Sequence, residues 1–156
     1  MDRLHVAIGS DERCPLTDSL LSALRERGAD VECFGALTGD ETSWASIGRS
    51  VGEAVAAGRA DIGIVCCWTG TGVSIAANKV RGVRAALCGD AQTAAGARRW
   101  NDANVLALSL RATAPAVALE MLDTFLATPV SDDAVDRVEI ELLETEGHRS
   151  ADGTRR

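Results

Sequence analysis

The sequence lacks the features that mark several large classes of protein. No run of apolar residues approaches the roughly 20 that a membrane-spanning helix needs, and the charged opening MDRLHVAIGSD is unlike a secretion signal. The formal net charge is −7 and the basic residues form no stripe, which argues against nucleic acid and anionic membranes as partners. We therefore expect a cytoplasmic protein that binds neither.

Histidine and regularly spaced cysteine are also scarce. The chain has two histidines, His5 in a predicted strand and His148 near the C-terminus. Neither is placed to activate a cysteine, so Cys–His nucleophilic catalysis is not expected. The cysteines are odd in number and show no C-x-x-C spacing, so we expect neither a disulfide framework nor a zinc site. They are Cys14, Cys33, Cys66, Cys67 and Cys88.

Strand-like and helix-like segments alternate along the chain. This alternation predicts βαβ units, and therefore an α/β fold with a five-stranded parallel sheet and helices on both faces. Strands are predicted at 4–9, 31–34, 61–67, 83–88 and 104–109. Helices are predicted at 15–28, 46–58, directly after 70, and at 90–100, 113–128 and 132–145.

We expect one domain over residues 1–145, followed by a disordered tail over 146–156. The last predicted helix is amphipathic, and its spacing predicts that Val135, Val138 and Leu142 are buried.

The third predicted strand ends in C-C-W-T-G-T-G, at the sheet edge where α/β proteins bind ligands. Gly70 and Gly72 allow a tight turn, and the helix after it adds a positive end, so the turn favours an anion or a developing oxyanion. Neither G-K-[ST] nor the full G-x-G-x-x-G is present, so a nucleotide-binding loop is not expected. Cys67 is either a thiol whose thiolate these groups stabilise or, like Cys66, a packing residue.

Several longer motifs carry a resemblance to a known family. The segments TGTGVSIAANK (69–79), GVRAAL (82–87) and NDANVLAL (101–108), with IGSD (8–11) and DTFLAT (123–128), resemble the ribose-5-phosphate isomerase B family, which includes the galactose-6-phosphate isomerase subunits. The resemblance covers about residues 4–140. It implies a Rossmann-like α/β/α sandwich, and a homodimer or dimer of dimers whose sites are completed across the interface.

The resemblance also implies a reaction and a set of site residues. The reaction is aldose–ketose isomerisation through a cis-enediolate, with no metal or organic cofactor. Cys67 is the implied base that moves the proton between C1 and C2, and the Thr69 hydroxyl shuttles the oxygen-bound proton. Residues implied to hold the enediolate, the sugar hydroxyls or the phosphate are Gly70, Thr71, Gly72, Val73, Asp11, Asn101, Arg111 and Arg137.

The chain departs from the family pattern at the site itself. Glu12 follows Ser-Asp where members have histidine, and Trp100 stands where members have the histidine that opens the sugar ring. Asp133 occupies the place of one phosphate-binding arginine. Trp68 replaces a glycine and Trp44 a tyrosine. In a chain with no tyrosine, all three tryptophans map onto the substrate site. We interpret Trp68 and Trp100 as walls of a pocket, where an indole face stacks on a sugar or another apolar ligand face; the alternative is that the tryptophans are core residues.

Because of these departures, the sequence is compatible with several substrates. An extra carboxylate near a phosphate is unfavourable by about 1 kcal/mol or more, unless Glu12 and Asp133 pair with Arg13, Arg111 or Arg137. Either Glu12 supplies the missing acid–base function, or the substrate is open-chain, as four-carbon sugar phosphates are. An unphosphorylated sugar is a further alternative, and a non-catalytic sugar-binding protein is another.

Overall fold

The computed structural model describes residues 3–40 and 43–146, and His148 and most of the predicted tail lie outside them. Strands β1 to β5 and helices α1 to α6 alternate along the chain, and a short 3-10 helix (Ala36–Thr38) follows β2. The strands are β1 His5–Ser10, β2 Asp30–Gly35, β3 Ile62–Cys67, β4 Ala85–Leu87 and β5 Val105–Ser109. The helices are α1 Pro15–Glu26, α2 Trp44–Ala56, α3 Thr71–Asn78, α4 Ala91–Asn101, α5 Pro115–Ala127 and α6 Ala134–Glu146.

The five strands form one parallel sheet in the order β2-β1-β3-β5-β4, which confirms the predicted fold class. Side chains of a strand alternate between the two faces, and β3 divides its apolar residues accordingly. Ile64 and Cys66 join the cluster formed with α1, α4 and α5, whereas Val65 and Cys67 join the cluster formed with α2 and α3. The layers are therefore helix, sheet and helix.

Helix α2 begins two residues before the predicted start. Ser43 caps it, because the Ser43 hydroxyl accepts a hydrogen bond from the Ser46 N–H at 3.1 Å, which satisfies a donor that a helix start leaves without a helical partner. Glycines let α2 lie close to its neighbours: a Cβ on Gly48 would stand 2.7 Å from the Val73 carbonyl oxygen of α3. This contact sets α2 directly beside the start of α3.

The predicted burial of Val135, Val138 and Leu142 is wrong. These side chains of α6 are 69%, 53% and 46% exposed. The other five helices already cover both faces of the sheet, so α6 finds no open sheet surface and lies against the end of α4 instead. The apolar face of α6 is therefore on the surface of the chain.

Within the described ranges, no helix is both long and apolar enough to cross a membrane.

Candidate active site

Three strand ends bring the first group of predicted site residues to one edge of the sheet. Because all strands are parallel, the residues after β1, β3 and β5 meet at the edge where the strands end, here called the upper edge. The edge where the strands begin is called the lower edge. The predicted residues at the upper edge are Asp11, Glu12, Cys67, Trp68, Thr69 and Arg111.

Cys67 is the last residue of β3, and its side chain faces α2 and α3. It lies in one apolar cluster with Val73 of α3 and is 5% exposed. Cys66 points to the opposite face and is fully buried, and this burial raises the pKa of its thiol far above the ordinary range. Only Cys67 of the two therefore faces the turn that follows β3.

The turn between β3 and α3 depends on Gly70. Its φ of 75° is in the left-handed region, where a Cβ is unfavourable. A Cβ there would also lie 2.6 Å from Leu87 Cδ1 and 2.9 Å from the Leu108 carbonyl oxygen, so the site has space for glycine alone. The hydroxyls of Thr69 and Thr71 are 2.8 Å apart and share a hydrogen bond, which joins the two sides of the turn.

The start of α3 presents backbone donors at the upper edge. The first N–H groups of a helix have no acceptor within it, and in α3 these belong to Thr71, Gly72 and Val73. Together with the positive end of the helix they favour negative charge beside Cys67. The two glycines of the sequence predicted this arrangement.

Trp44 lies over this helix start. A Cβ on Gly72 would be 2.7 Å from Cε3 of the Trp44 ring, so the indole rests directly on Gly72. The rest of the ring is exposed. Because α2 packs beside α3, the first residue of α2 reaches a turn that is distant from it in the chain, and an indole becomes part of the surface around Cys67.

Trp68 and Arg111 are held together through the backbone. The Trp68 carbonyl oxygen accepts hydrogen bonds from the Arg111 N–H and from the Ser109 hydroxyl, both at 3.0 Å. The Trp68 indole and the Arg111 side chain are both exposed. These bonds fix the loops after β3 and β5 side by side, so a second indole and a guanidinium also belong to the surface around Cys67.

The loop after β1 adds two carboxylates. Ser10 turns the chain there, since its hydroxyl donates to the Glu12 carbonyl oxygen at 2.6 Å and accepts from the Glu12 N–H. The pKa of Asp11 is raised, mainly by burial and then by the Glu12 carboxylate, against the lowering effect of a backbone hydrogen bond. Asp11 therefore holds a proton more readily than an ordinary aspartate.

The alternative in which the two extra carboxylates pair with arginines is not observed. In residues 3–40 and 43–146, no ion pair joins Glu12 or Asp133 to an arginine. Arg13 pairs with Asp18 instead, at 2.9 Å. Asp133 accepts a hydrogen bond from the Val135 N–H at 2.8 Å, so its carboxylate caps the N-terminus of α6.

The second group of predicted residues lies at the lower edge. Helix α4 starts at the upper edge after β4 and runs back, so Trp100 and Asn101 at its end lie where the strands begin. The Ser131 N–H donates to the Arg99 carbonyl oxygen at 2.8 Å, which brings the start of α6, with Arg137, to the same place. Since six residues of a strand span about 20 Å, these residues are far from Cys67 of the same chain.

The three tryptophans therefore do not line one pocket within a single chain. Trp44 and Trp68 lie at the upper edge, whereas Trp100 lies at the lower edge with its ring against Gly96, where a Cβ would be 2.8 Å from Cζ3. The physical reason is the direction of α4, which carries its C-terminal residues away from the upper edge. None of the three is a core residue, since each indole is exposed.

Two of the cavities in the described structure lie at the lower edge. One, of about 550 Å³, is lined by the segment 78–86 together with Asn101, Ala103, Leu143 and Glu144. The other, of about 370 Å³, is lined in part by Asp102 and Arg137. Among the described residues, no group of three or more His, Cys, Asp or Glu side chains is arranged to hold a metal ion.

Comparison with known proteins agrees with this geometry. The model of a family described as Ribose/Galactose Isomerase matches residues 6–141. The chain is 32% identical to ribose-5-P isomerase B of Listeria innocua, over 90% of this chain and 95% of that protein. It is 34% identical to D-erythrulose-4-phosphate isomerase of Pectobacterium atrosepticum, over 79% and 82%.

A solved structure is also similar to this chain. Ribose-5-phosphate isomerase B of Clostridium thermocellum superposes with a TM-score of 0.85 at 36% identity, and the match covers 92% of this chain and 97% of that one. The turn at Gly70, the cysteine before it and the parallel sheet that carries them thus occur in a chain that belongs to the Ribose/Galactose Isomerase family.

Proposed function

We propose that this chain is an aldose–ketose isomerase of sugar phosphates that works through a cis-enediolate. The observation that carries the proposal is the position of Cys67, at the end of β3 and facing the first turn of α3. An enediolate is an anion, and preorganised N–H donors beside a proton acceptor are what its formation needs.

The side chains around Cys67 have distinct proposed roles. Cys67 moves the proton between C1 and C2, and Thr69, whose hydroxyl lies 2.8 Å from that of Thr71, moves the proton between the two oxygens. Asp11 and Glu12 supply acid–base groups and hydrogen bonds to sugar hydroxyls. The raised pKa of Asp11 supports its use as a proton donor.

We further propose that the working unit is a homodimer. Asn101, Trp100 and Arg137 lie at the lower edge of their own chain, so they contact a substrate held at Cys67 only if a second copy supplies them. A two-fold axis that places the lower edge of one copy on the upper edge of the other completes two equal sites. Ile75 of α3 and Leu87 at the end of β4 are exposed apolar residues, and a second copy that covered them would remove apolar surface from water.

The phosphate would be bound by Arg111 of one copy and Arg137 of the other. Arg111 is exposed, and Arg137 borders the smaller cavity of the lower edge, so both guanidinium groups are available to an anion. The five cysteines are free thiols, which supports a reducing compartment, and we propose the cytoplasm.

The proposal has two forms that differ in the substrate. In the first form it is ribose 5-phosphate, and in the second it is a four-carbon sugar phosphate. Trp100 stands in place of the ring-opening histidine of the family and cannot transfer a proton to a ring oxygen. An open-chain tetrose phosphate needs no ring opening, and the similarity to a D-erythrulose-4-phosphate isomerase favours this second form.

The first test is proton exchange followed by NMR in deuterated water. The protein is incubated separately with ribose 5-phosphate, erythrose 4-phosphate and free aldoses, and loss of the C2–H signal is followed. We expect exchange with at least one phosphate. Equal rates for ribose 5-phosphate and the tetrose phosphate would remove the argument for a four-carbon substrate.

Two neighbouring cysteines provide matched variants. We expect Cys67→Ala to slow exchange by at least about 100-fold, the low end for a positioned general base, while ligand still quenches tryptophan fluorescence. Cys66→Ala should retain exchange, because Cys66 faces the other layer. Fluorescence quenching by a sugar without exchange in the unaltered protein would instead indicate a non-catalytic binding protein.

A further inference from the structure

The residue after Asn101 has an unusual backbone conformation. Asp102 has φ 45° and ψ 43°, and it is the one residue other than glycine with a positive φ in the described part of the chain. Such left-handed residues are uncommon, although aspartate adopts the conformation more readily than most. This conformation ends α4 directly after Trp100 and Asn101.

Two guanidinium groups hold Asp102 in place. Arg84 Nη2 lies 3.1 Å from one carboxylate oxygen, and Arg98 Nη1 lies 3.1 Å from the other. Both arginines also bind the backbone: Arg84 Nε donates to the Asp102 carbonyl oxygen at 2.7 Å, and Arg98 Nη1 to that of Ala103 at 2.7 Å. The end of α4 is thus fixed through both its side chain and its main chain.

The two arginines are themselves anchored. Arg84 Nη1 donates to Glu144 of α6 at 2.5 Å, and the Arg98 guanidinium lies 5.5 Å from the centre of the Phe125 ring of α5. The side chains of Arg84 and Arg98 are only 18% and 20% exposed. Partly buried charge pairs are screened less than exposed ones, so these ion pairs are stronger than fully exposed pairs of the same geometry.

We propose that Arg84, Arg98 and Asp102, here called the Asp102 clamp, position Asn101 and Trp100 for the active site of a second copy. The inference rests on the proposed function and on its shared sites. The three clamp residues touch no substrate and are positioning residues. Their effect is to hold one side of the site in a fixed orientation before a ligand binds, which reduces the ordering that binding must supply.

The first experiment measures orientation without activity. A protein with Trp44→Phe and Trp68→Phe retains Trp100 as its single tryptophan, and its fluorescence anisotropy reports how tightly the end of α4 is held. Asp102→Gly permits the same φ but removes the carboxylate, and Asp102→Asn retains an acceptor oxygen. We expect lower anisotropy for Asp102→Gly and a substantial recovery for Asp102→Asn.

The matched control is an ion pair that includes none of the proposed site residues and none of the residues of the Asp102 clamp. Asp123→Asn removes the α5 carboxylate that Arg27, the residue directly after α1, binds, and it should leave the anisotropy of Trp100 unchanged. Unchanged anisotropy in Asp102→Gly as well would overturn the proposal, even if the protein turned over no sugar and the proposed function failed.

The second experiment tests whether the clamp serves the partner's site. In otherwise unaltered protein, Asp102→Gly should raise KM by about tenfold to 100-fold, as expected for misplaced binding groups. When the Asp102→Gly chain is coexpressed with a Cys67→Ala chain, mixed dimers form. In each mixed dimer one site combines Cys67 of the first chain with the intact Asp102 clamp of the second, and the other site lacks both. At substrate concentrations below KM, random pairing in an isologous dimer should then restore about one quarter of the wild-type activity. Mixed dimers without recovered activity, or a wild-type KM in Asp102→Gly, would overturn the proposal.

Discussion

Gly70→Ala tests how the turn beside Cys67 is built. The substitution adds a Cβ at φ 75°, and this new atom would lie 2.8 Å from the Leu108 carbonyl carbon and 2.6 Å from Leu87 Cδ1. The Leu87 side chain can rotate away, but the Leu108 backbone belongs to β5 and cannot. The turn must therefore move, and the N–H groups at the start of α3 move with it.

Gly58→Ala is the matched control. Gly58 has nearly the same φ, 72°, but no atom lies within 4 Å of its added Cβ. The free energy of unfolding of Gly58→Ala should fall only by the cost of a left-handed alanine, about 1–2 kcal/mol. The free energy of unfolding of Gly70→Ala should fall by this amount and by about 1–3 kcal/mol more, because the new Cβ overpacks the site. The Gly70→Ala variant should therefore be less stable than the Gly58→Ala variant by about 1–3 kcal/mol.

Urea unfolding followed by circular dichroism measures both changes, and the NMR exchange assay measures the effect on the site. We expect Gly70→Ala to lose most isomerase activity and Gly58→Ala to retain it. Leu87→Ala should not rescue Gly70→Ala, because the backbone contact with Leu108 persists. Equal destabilisation by the two glycine substitutions would show that contact with the Leu108 backbone does not limit the residue at position 70 to glycine.

Three further predictions concern the same edge. Gly72→Ala places its Cβ 2.7 Å from the Trp44 ring, so the ring should be displaced and tryptophan emission should shift to longer wavelength; an unshifted spectrum would contradict the contact. Asp11→Asn should be more stable than wild type at pH 7, because a raised carboxyl pKa means that stability falls as pH rises above about 4, and the difference in urea unfolding should vanish at lower pH. Asp90 has a lowered pKa because it accepts hydrogen bonds from Thr93, so its contribution is present above about pH 4 and is lost as pH falls. Asp90→Ala should accordingly lower the melting temperature at about pH 7 but not at about pH 2, and a loss of equal size at both would exclude this origin.

Local patterns in the sequence determined the parts of the fold that depend on neighbouring residues. Alternating strand and helix segments predicted the parallel sheet, and the strand ends predicted that Asp11, Cys67 and Arg111 share an edge. Gly70 marked the tight turn, because its left-handed φ is a property of one residue and its neighbours. The start of α2 was displaced by only two residues, owing to the cap at Ser43.

Only the tertiary structure decided which distant groups meet. The spacing of Val135, Val138 and Leu142 identified an apolar face correctly, but burial also requires a free surface to cover, and the other helices leave none. Likewise, Arg84 reaches Asp102 across 18 positions of the chain, and no local pattern specifies that contact. Periodicity and strand ends determine how each segment folds; the direction and packing of the whole helices determine that the predicted site is divided between two edges.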